Sequence, residues 1–416
     1  MQATTAPSPR IAEIDVVRGV AVLGILAVNI VGFAMPERAS VSLAVYGGTV
    51  GADLAAWVAG FVLLEGKMRG LFSLLFGASM LLVIEAVEAK GRSGAAIHFP
   101  RMAWLAVFGA AHLYLVWWGD ILLHYAILGT VAFLFRRVSL AALGLWIALL
   151  LLYQLQLMGS VAAMMIAARE AAQAPGASAD AVDFWQLLGS DLAPMPGDAL
   201  AEDLAVHRGS WWSIVEARWR EHADNPRISL EYSGAETLAY MLMGMVALRT
   251  GLLAGRWPRR HYAAVAAIGL GVGGLGYALS AAAVILSGLD PAIIFATGSA
   301  AAVLLRPPMI IGYAALIVLL AQRGGWLADR LAAAGRAALT NYLAPSLVMT
   351  TIFYGYGLGL YGRLGRAELW LMVLPMWALM LIWSHAWLKR CRYGPFEWLW
   401  RSLARGRLQP MKRLAA

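Results

Sequence analysis

Apolar stretches of twenty residues or more recur from one end of this chain to the other, and that repetition constrains the fold more than any motif does. A helix needs ~20 apolar residues to cross the hydrocarbon core of a bilayer, because each residue advances it by only ~1.5 Å. On that length the sequence holds about ten candidate spans, near 14–34, 68–88, 102–118, 120–136, 139–168, 231–250, 262–288, 292–321, 338–360 and 369–389. Residues 53–66 add a half-helix before the second span, and Gly66-Lys67-Met68-Arg69-Gly70 interrupts that stretch as an interfacial or re-entrant piece would. The expected fold is all-α, a polytopic transmembrane helical bundle with one extracytoplasmic cap.

Composition supports the bilayer. Of 416 residues 61% are hydrophobic and 14% charged, where a soluble domain carries about a quarter charged residues. The run from Ile14 to Ala34 is long for a signal-peptide core and lacks a small-residue cleavage site, so it reads as a retained first span. The lone Cys391 excludes an intrachain disulfide and a cysteine metal site. A net charge of +9 does not imply nucleic acid, because the basic residues sit at the ends of apolar segments rather than on one soluble face.

Those basic residues set orientation through the positive-inside rule. Lys90, Arg92 and Arg101, then Arg136 and Arg137, Arg249, Arg256, Arg259 and Arg260, Arg323, Arg330 and Arg336, and the tail share one side. The other side holds Gly119-Asp120, the turn at Asp290-Pro291 and the acidic 170–228 loop, with Arg363 and Arg366 as exceptions. Both termini are expected in the cytoplasm. The chain divides into an N-terminal membrane half (1–169), an extracytoplasmic loop (170–228), a C-terminal membrane half (229–390) and a basic tail (391–416), the last expected to lie on an anionic inner leaflet. Trp211, Trp212 and Trp219 in the loop either rest on the membrane surface or close over a site.

Ionisable residues inside apolar sequence mark function by default. Asp15 and Arg18 share a helix face and can pair, either as a structural lock or to meet cofactor phosphates. Glu65, Lys67 and Arg69 form an interfacial anchor or an intramembrane ion network. Glu236 lies inside an apolar run and needs a partner or a proton. His112 lies two turns before Asp120, with His124 and Tyr125 expected nearby; a histidine oriented by a carboxylate is the minimal general-base arrangement, and a satisfied structural histidine is the alternative. No paired-histidine motif points to a metal. Asn29, Asn341, Tyr342, Ser346 and His385 are polar positions that line a cavity or a helix seam.

Several blocks together carry a resemblance: RIAEIDVVRGVAVLGILAVNI, EGKMRGLFSLLFGASM, HLYLVWWGDILLHYAILG, YMLMGMVALRTGLL, and GRAALTNYLAPSLVMTTIFYGYGLGL running on to GPFEWLWRSLARGRLQP. The chain resembles the bacterial YeiB family of multi-pass membrane proteins, domain of unknown function 418, over nearly its whole length outside 170–228. More distantly it is similar to the transmembrane acyltransferases that move an acyl group from cytoplasmic acyl-CoA to an extracytoplasmic acceptor. Those proteins carry an arginine on the first span followed eleven residues later by a histidine. Here Arg18 is followed at that distance by Asn29, which is no general base.

The resemblance implies an acyltransferase, with acyl-CoA held near Asp15, Arg18, Lys67 and Arg69; with Asn29 in the histidine's place, His112 with Asp120 is the expected substitute for catalysis. A transporter or exporter of a small polar or amphipathic solute, with Glu236, His112 and Asp120 carrying protons, is the second reading, although no inverted repeat is visible. A structural or signalling membrane protein whose charges only lock helices is the third.

Overall fold

The computed structural model describes residues 11–413, so the first ten residues and the last three of the basic tail lie outside the described chain. The order is α1 (Ala12–Ala34), α2 (Gly51–Leu63), α3 (Lys67–Glu88), α4 (Gly94–Leu115), α5 (Leu122–Ala132), α6 (Leu140–Gln173), α7 (Ala179–Gly189), α8 (Gly197–His207), α9 (Trp211–His222), α10 (Asn225–Arg249), α11 (Arg259–Leu286), α12 (Pro291–Phe295), α13 (Ala302–Ala321), α14 (Trp326–Arg336), α15 (Ala338–Phe353), α16 (Trp370–Arg390) and α17 (Pro395–Ala404). A π-helical turn at Ala296–Ala301 joins α12 to α13. Among the described residues there is no strand, and the protein is an all-α polytopic bundle.

Six helical stretches are long and apolar enough to cross a membrane: Ala12–Ala34, Gly51–Glu88, Leu140–Gln173, Arg259–Leu286, Pro291–Ala321 and Trp370–Arg390. They match six of the expected spans. The other four expectations fall on α4, α5, α10 and α15, which are shorter or interrupted by polar side chains; α10 is largely buried, whereas α4 turns Phe99, Val107 and Leu115 outward. The outer helix α6 shows the opposite pattern. Its most apolar window is only 11% buried and Leu145, Trp146, Leu149 and Leu152 face outward, a surface that calls for lipid rather than water.

In lipid, helices gain little from burying apolar surface against one another, so close packing holds them. The inner helices show it: a Cβ on Gly244 of α10 would overlap the Leu74 carbonyl of α3, and one on Gly77 would overlap the Met241 carbonyl.

The bundle has two chemically distinct rims. At the basic rim Arg136 and Arg137 pair with Glu88, and Arg249 donates to the carbonyls of Val138 and Arg136. At the other rim α7 to α9 form a cap. Ser42 Oγ donates to Leu192 O at 2.6 Å, Arg208 Nε to Tyr361 O at 2.9 Å, and Tyr361 Oη to Asp203 Oδ1 at 3.0 Å. Trp212 and Trp219 stay exposed on this cap, and Trp211 Nε1 donates to Leu115 O.

Helix α17 packs under α4 and α15: Trp400 Nε1 donates to Arg101 O at 2.8 Å, and the Glu397 carboxylate accepts from Leu339 N, Thr340 N and Thr340 Oγ1. The first turn of α15 presents unpaired N–H groups, and a carboxylate from elsewhere in the chain satisfies them. Burial is the chief cause that pushes the Glu397 carboxyl above its ordinary value.

Candidate functional site

Helices α2 and α3 meet at Leu64-Glu65-Gly66, where Gly66 adopts φ 72°. That left-handed conformation suits glycine, and a Cβ there would also strike the Arg306 side chain. Met68 packs on Gly24, twelve residues into α1 and so ~18 Å along it. The break therefore lies deep in the bundle and not at the interface, and it carries Glu65, Lys67 and Arg69 there.

An ion network surrounds it. Glu236 of α10, 2% exposed, accepts from Arg69 Nη2 at 2.7 Å, from Arg306 Nη1 at 2.9 and 3.1 Å, and from Tyr240 Oη at 2.7 Å. Arg69 Nη1 also donates to Thr237 Oγ1 at 2.9 Å, and Arg306 Nη2 to Gly298 O at 2.7 Å. Lys67 is fully buried; its ammonium donates to Phe61 O and lies 3.0 Å from the Tyr277 ring centroid.

Two large cavities reach toward this level from opposite rims. The first, about 700 Å³, opens under the cap and is lined by Asn29, Glu65, Arg69, Asp120, His124 and Arg306 among others. The second, about 770 Å³, opens at the basic rim with Asp15, Arg18, Arg101, Arg336, Arg392 and Arg401 in its wall. Tyr342 lines both. Its hydroxyl accepts from Ile121 N at 3.1 Å, which fixes it beside the turn into α5. Tyr125, on the second cavity, bonds Ser73 Oγ at 2.7 Å and donates to Arg69 O at 3.1 Å. Tyr342 thus stands between the two cavities.

A model of the family described as "Protein of unknown function (DUF418)" matches residues 247–407. "Uncharacterized protein YxaH" of Bacillus subtilis is 31% identical over 98% of this chain and 98% of its own length, and "Uncharacterized protein YeiB" of Escherichia coli is 32% identical over 94% and 95%. The chain belongs to the YeiB family. "Uncharacterized 39.9 kDa protein in amylase 3'region" of Bacillus acidopullulyticus aligns at 33% identity with 24% of this YeiB-family chain and 29% of its own length.

The structure redistributes the residues singled out from the YeiB-family sequence. His112 and Asp120 do pair, Nδ1 to Oδ2 at 2.8 Å. Asp120 Oδ1 accepts from Leu123 N at 2.9 Å, so this carboxylate caps α5 as well. His112 itself lies behind Asp120 and is absent from the wall of any cavity described here. His124 and Tyr125 do not join the pair as expected: His124 bonds Ser229 Oγ and Thr237 Oγ1 instead. The Asp15–Arg18 pair forms at 3.0 Å, and Arg18 Nη2 donates to Ser79 Oγ at 2.6 Å.

The expected cofactor group divides. Asp15 and Arg18 line the basic cavity, whereas Arg69 lines the opposite one and Lys67 is sealed in protein. Asn341 belongs to a seam, donating to Ala334 O and Ser384 Oγ and accepting from Trp383 Nε1. Ser346 donates to Tyr342 O one turn back, and His385 lies on neither large cavity. Helix rotation decides such placements, and Ser384 rather than His385 faces Asn341.

Arg306 is the residue that sequence reading missed. It sits in Leu305-Arg306-Pro307-Pro308, inside an otherwise apolar run. A charge in that setting demands a partner, and Glu236 needed one too.

Proposed function

We propose that the protein is a transmembrane acyltransferase that takes an acyl group from acyl-CoA in the basic cavity and passes it to an acceptor in the cap-side cavity. The observation that carries this reading is the pair of cavities approaching from opposite rims and sharing Tyr342. A donor and an acceptor held on two sides of one residue need no passage of either whole molecule across the bilayer.

The donor side fits a polyanion. Arg18, Arg101, Arg336, Arg392 and Arg401 outnumber Asp15, Glu85 and Glu397 in its wall, and guanidinium forks suit phosphate oxygens. The remaining wall, with Phe72, Phe76, Leu105 and Leu122, is apolar enough for an acyl chain. No metal is invoked. In this reading the basic rim and both termini face the cytoplasm of the bacterial inner membrane, in line with the positive-inside rule, and the cap faces outward.

Transport uses the same two cavities differently, as halves of a path. It is disfavoured by the groups expected to carry protons: Glu236 is held by two arginines and a tyrosine, and Asp120 by His112 and Leu123 N.

Acetyl-CoA and dephospho-acetyl-CoA binding to the purified protein in detergent tests the proposal. Acetyl-CoA is expected to bind saturably, with Arg18→Ala and Arg392→Ala each weakening it about tenfold, the value of one lost charge-assisted contact. A folded wild-type protein that binds neither compound sinks it. Solute flux through proteoliposomes without thioester cleavage would turn the reading to transport.

A further inference from the structure

The carboxylates and histidines around the cap-side cavity are almost all taken. Both oxygens of Asp120 are engaged, by His112 and by Leu123 N. Both nitrogens of His124 are engaged, by Ser229 and Thr237. Both oxygens of Glu236 are engaged by Arg306, Arg69 and Tyr240. At the mouth, Glu37 faces His222 at 3.3 Å and Asp191 faces Arg38 at 3.1 Å.

Glu65 is different. It lines the cap-side cavity and the smaller one beside it, of about 230 Å³, and among the described residues its carboxyl makes no hydrogen bond or ion pair. The charged groups that face it are Lys67 from α3, Arg306 from α13 and Arg366 from the segment before α16. Each has another anchor: Lys67 on Phe61 O, Arg306 on Glu236, and Arg366 on the carbonyls of Ala39 and Tyr46. They supply a field and leave the carboxyl oxygens open.

An open carboxyl at this depth is held there by the chain break. Glu65 precedes the positive-φ Gly66, outside α3, and lies four residues before Arg69, whose carbonyl accepts from Tyr125 in the wall of the basic cavity. The same break therefore ties a cap-side carboxyl, through four residues of chain, to a wall residue of the basic cavity.

We infer that Glu65 is the catalytic base of the acyl transfer proposed above, in place of the His112–Asp120 pair, on which α5 depends for its cap. The role rests on that reading. An acceptor hydroxyl or amine in the cap-side cavity gives its proton to the Glu65 carboxylate, and its oxygen or nitrogen forms the bond to the thioester carbonyl carbon. The C–S bond breaks, its electron pair leaves on the CoA sulfur, and that thiolate is protonated by water at the basic rim. Glu65 returns its proton to water in the cap-side cavity.

The test uses the full chain in proteoliposomes with acetyl-CoA as donor and water as acceptor, following free CoA, alongside acetyl-CoA binding. Glu65→Gln is expected to lower kcat by about 10²- to 10⁴-fold, the usual worth of a general base, with acetyl-CoA affinity within about twofold of wild type. The rise of rate with pH in the wild type is expected to flatten in that variant, and Glu65→Asp to restore part of the rate.

Dicyclohexylcarbodiimide gives a readout independent of turnover and of the variant's folding: wild-type protein is expected to take the label at Glu65 and not at Glu236. Full turnover by Glu65→Gln, or a wild type unlabelled at Glu65, overturns the assignment while leaving acyl transfer standing. A wild type that binds no acetyl-CoA, or binds it and releases no CoA, overturns acyl transfer itself and the role of Glu65 with it.

Discussion

Arg306 clasps Glu236 across the bundle, one guanidinium nitrogen lying 2.9 and 3.1 Å from the two carboxylate oxygens. Arg69 approaches the same carboxylate from α3, so a single negative charge holds three helices together at the level of the α2–α3 break.

The asymmetry of that cluster makes a prediction. Removing one partner of a buried ion pair costs ~3–5 kcal/mol because the other charge is left alone. Glu236→Gln leaves two arginines facing each other, whereas Arg306→Met leaves Glu236 with Arg69. Thermal unfolding in detergent is expected to show Glu236→Gln as the more destabilised of the two; equal melting temperatures would mean that Arg69 contributes nothing.

Close helix packing is tested by two glycines. Gly244→Ala puts a methyl into the Leu74 carbonyl, and overpacking of this kind costs ~1–3 kcal/mol. Gly271→Ala on α11 meets nothing within 4 Å and is expected to be neutral or to stabilise by ~0.5–1 kcal/mol through the lost freedom of glycine. A melting curve for each decides it, and a harmless Gly244→Ala would contradict the α3–α10 contact.

The tail helix is expected to matter for stability at the basic rim. Glu397→Ala removes the acceptor for two backbone N–H groups of α15, a loss comparable to that of a helix cap, ~1–2 kcal/mol. Hydrogen exchange at residues 338–342 should rise in this variant; unchanged protection there would return α17 to a surface role.

The cap carries a pH dependence of its own. Burial, then Glu221 and Asp203, raise the Glu37 carboxyl from 4.5 to about 7, although its side chain keeps 42% exposure at the cavity mouth. A raised carboxyl stabilises the folded cap fully below 4.5, and the contribution is lost as pH rises through about 7. His222, lowered by burial, acts in the opposite sense, its contribution being lost as pH falls below 6.5. Exchange protection of α9, corrected for intrinsic rate, should fall between pH 4.5 and 7 by an amount that Glu37→Gln abolishes. A variant with the wild-type profile would remove Glu37 as the source.

The sequence by itself determined the solvent and the class of fold. Runs such as Ile14 to Ala34 and Leu140 to Ala168 leave no place for the chain except a bilayer, and a bilayer leaves these segments no conformation except helix. It also placed Asp15 and Arg18 on one helix face, because the helical repeat fixes their spacing, whereas the His112–Asp120 bond, spanning the connection between α4 and α5, needed the fold. Tertiary structure decided everything that depends on helix rotation and depth. Lys67 is sealed while Glu65, two residues earlier, is open, and Asn341 turns to a seam while its neighbour Tyr342 stands between two cavities. Arg306 and Glu236 lie 70 residues apart and meet only because α10 and α13 both pack on α3. Apolar periodicity is weak in helices surrounded by lipid and by one another, so the sequence alone does not mark which face turns inward.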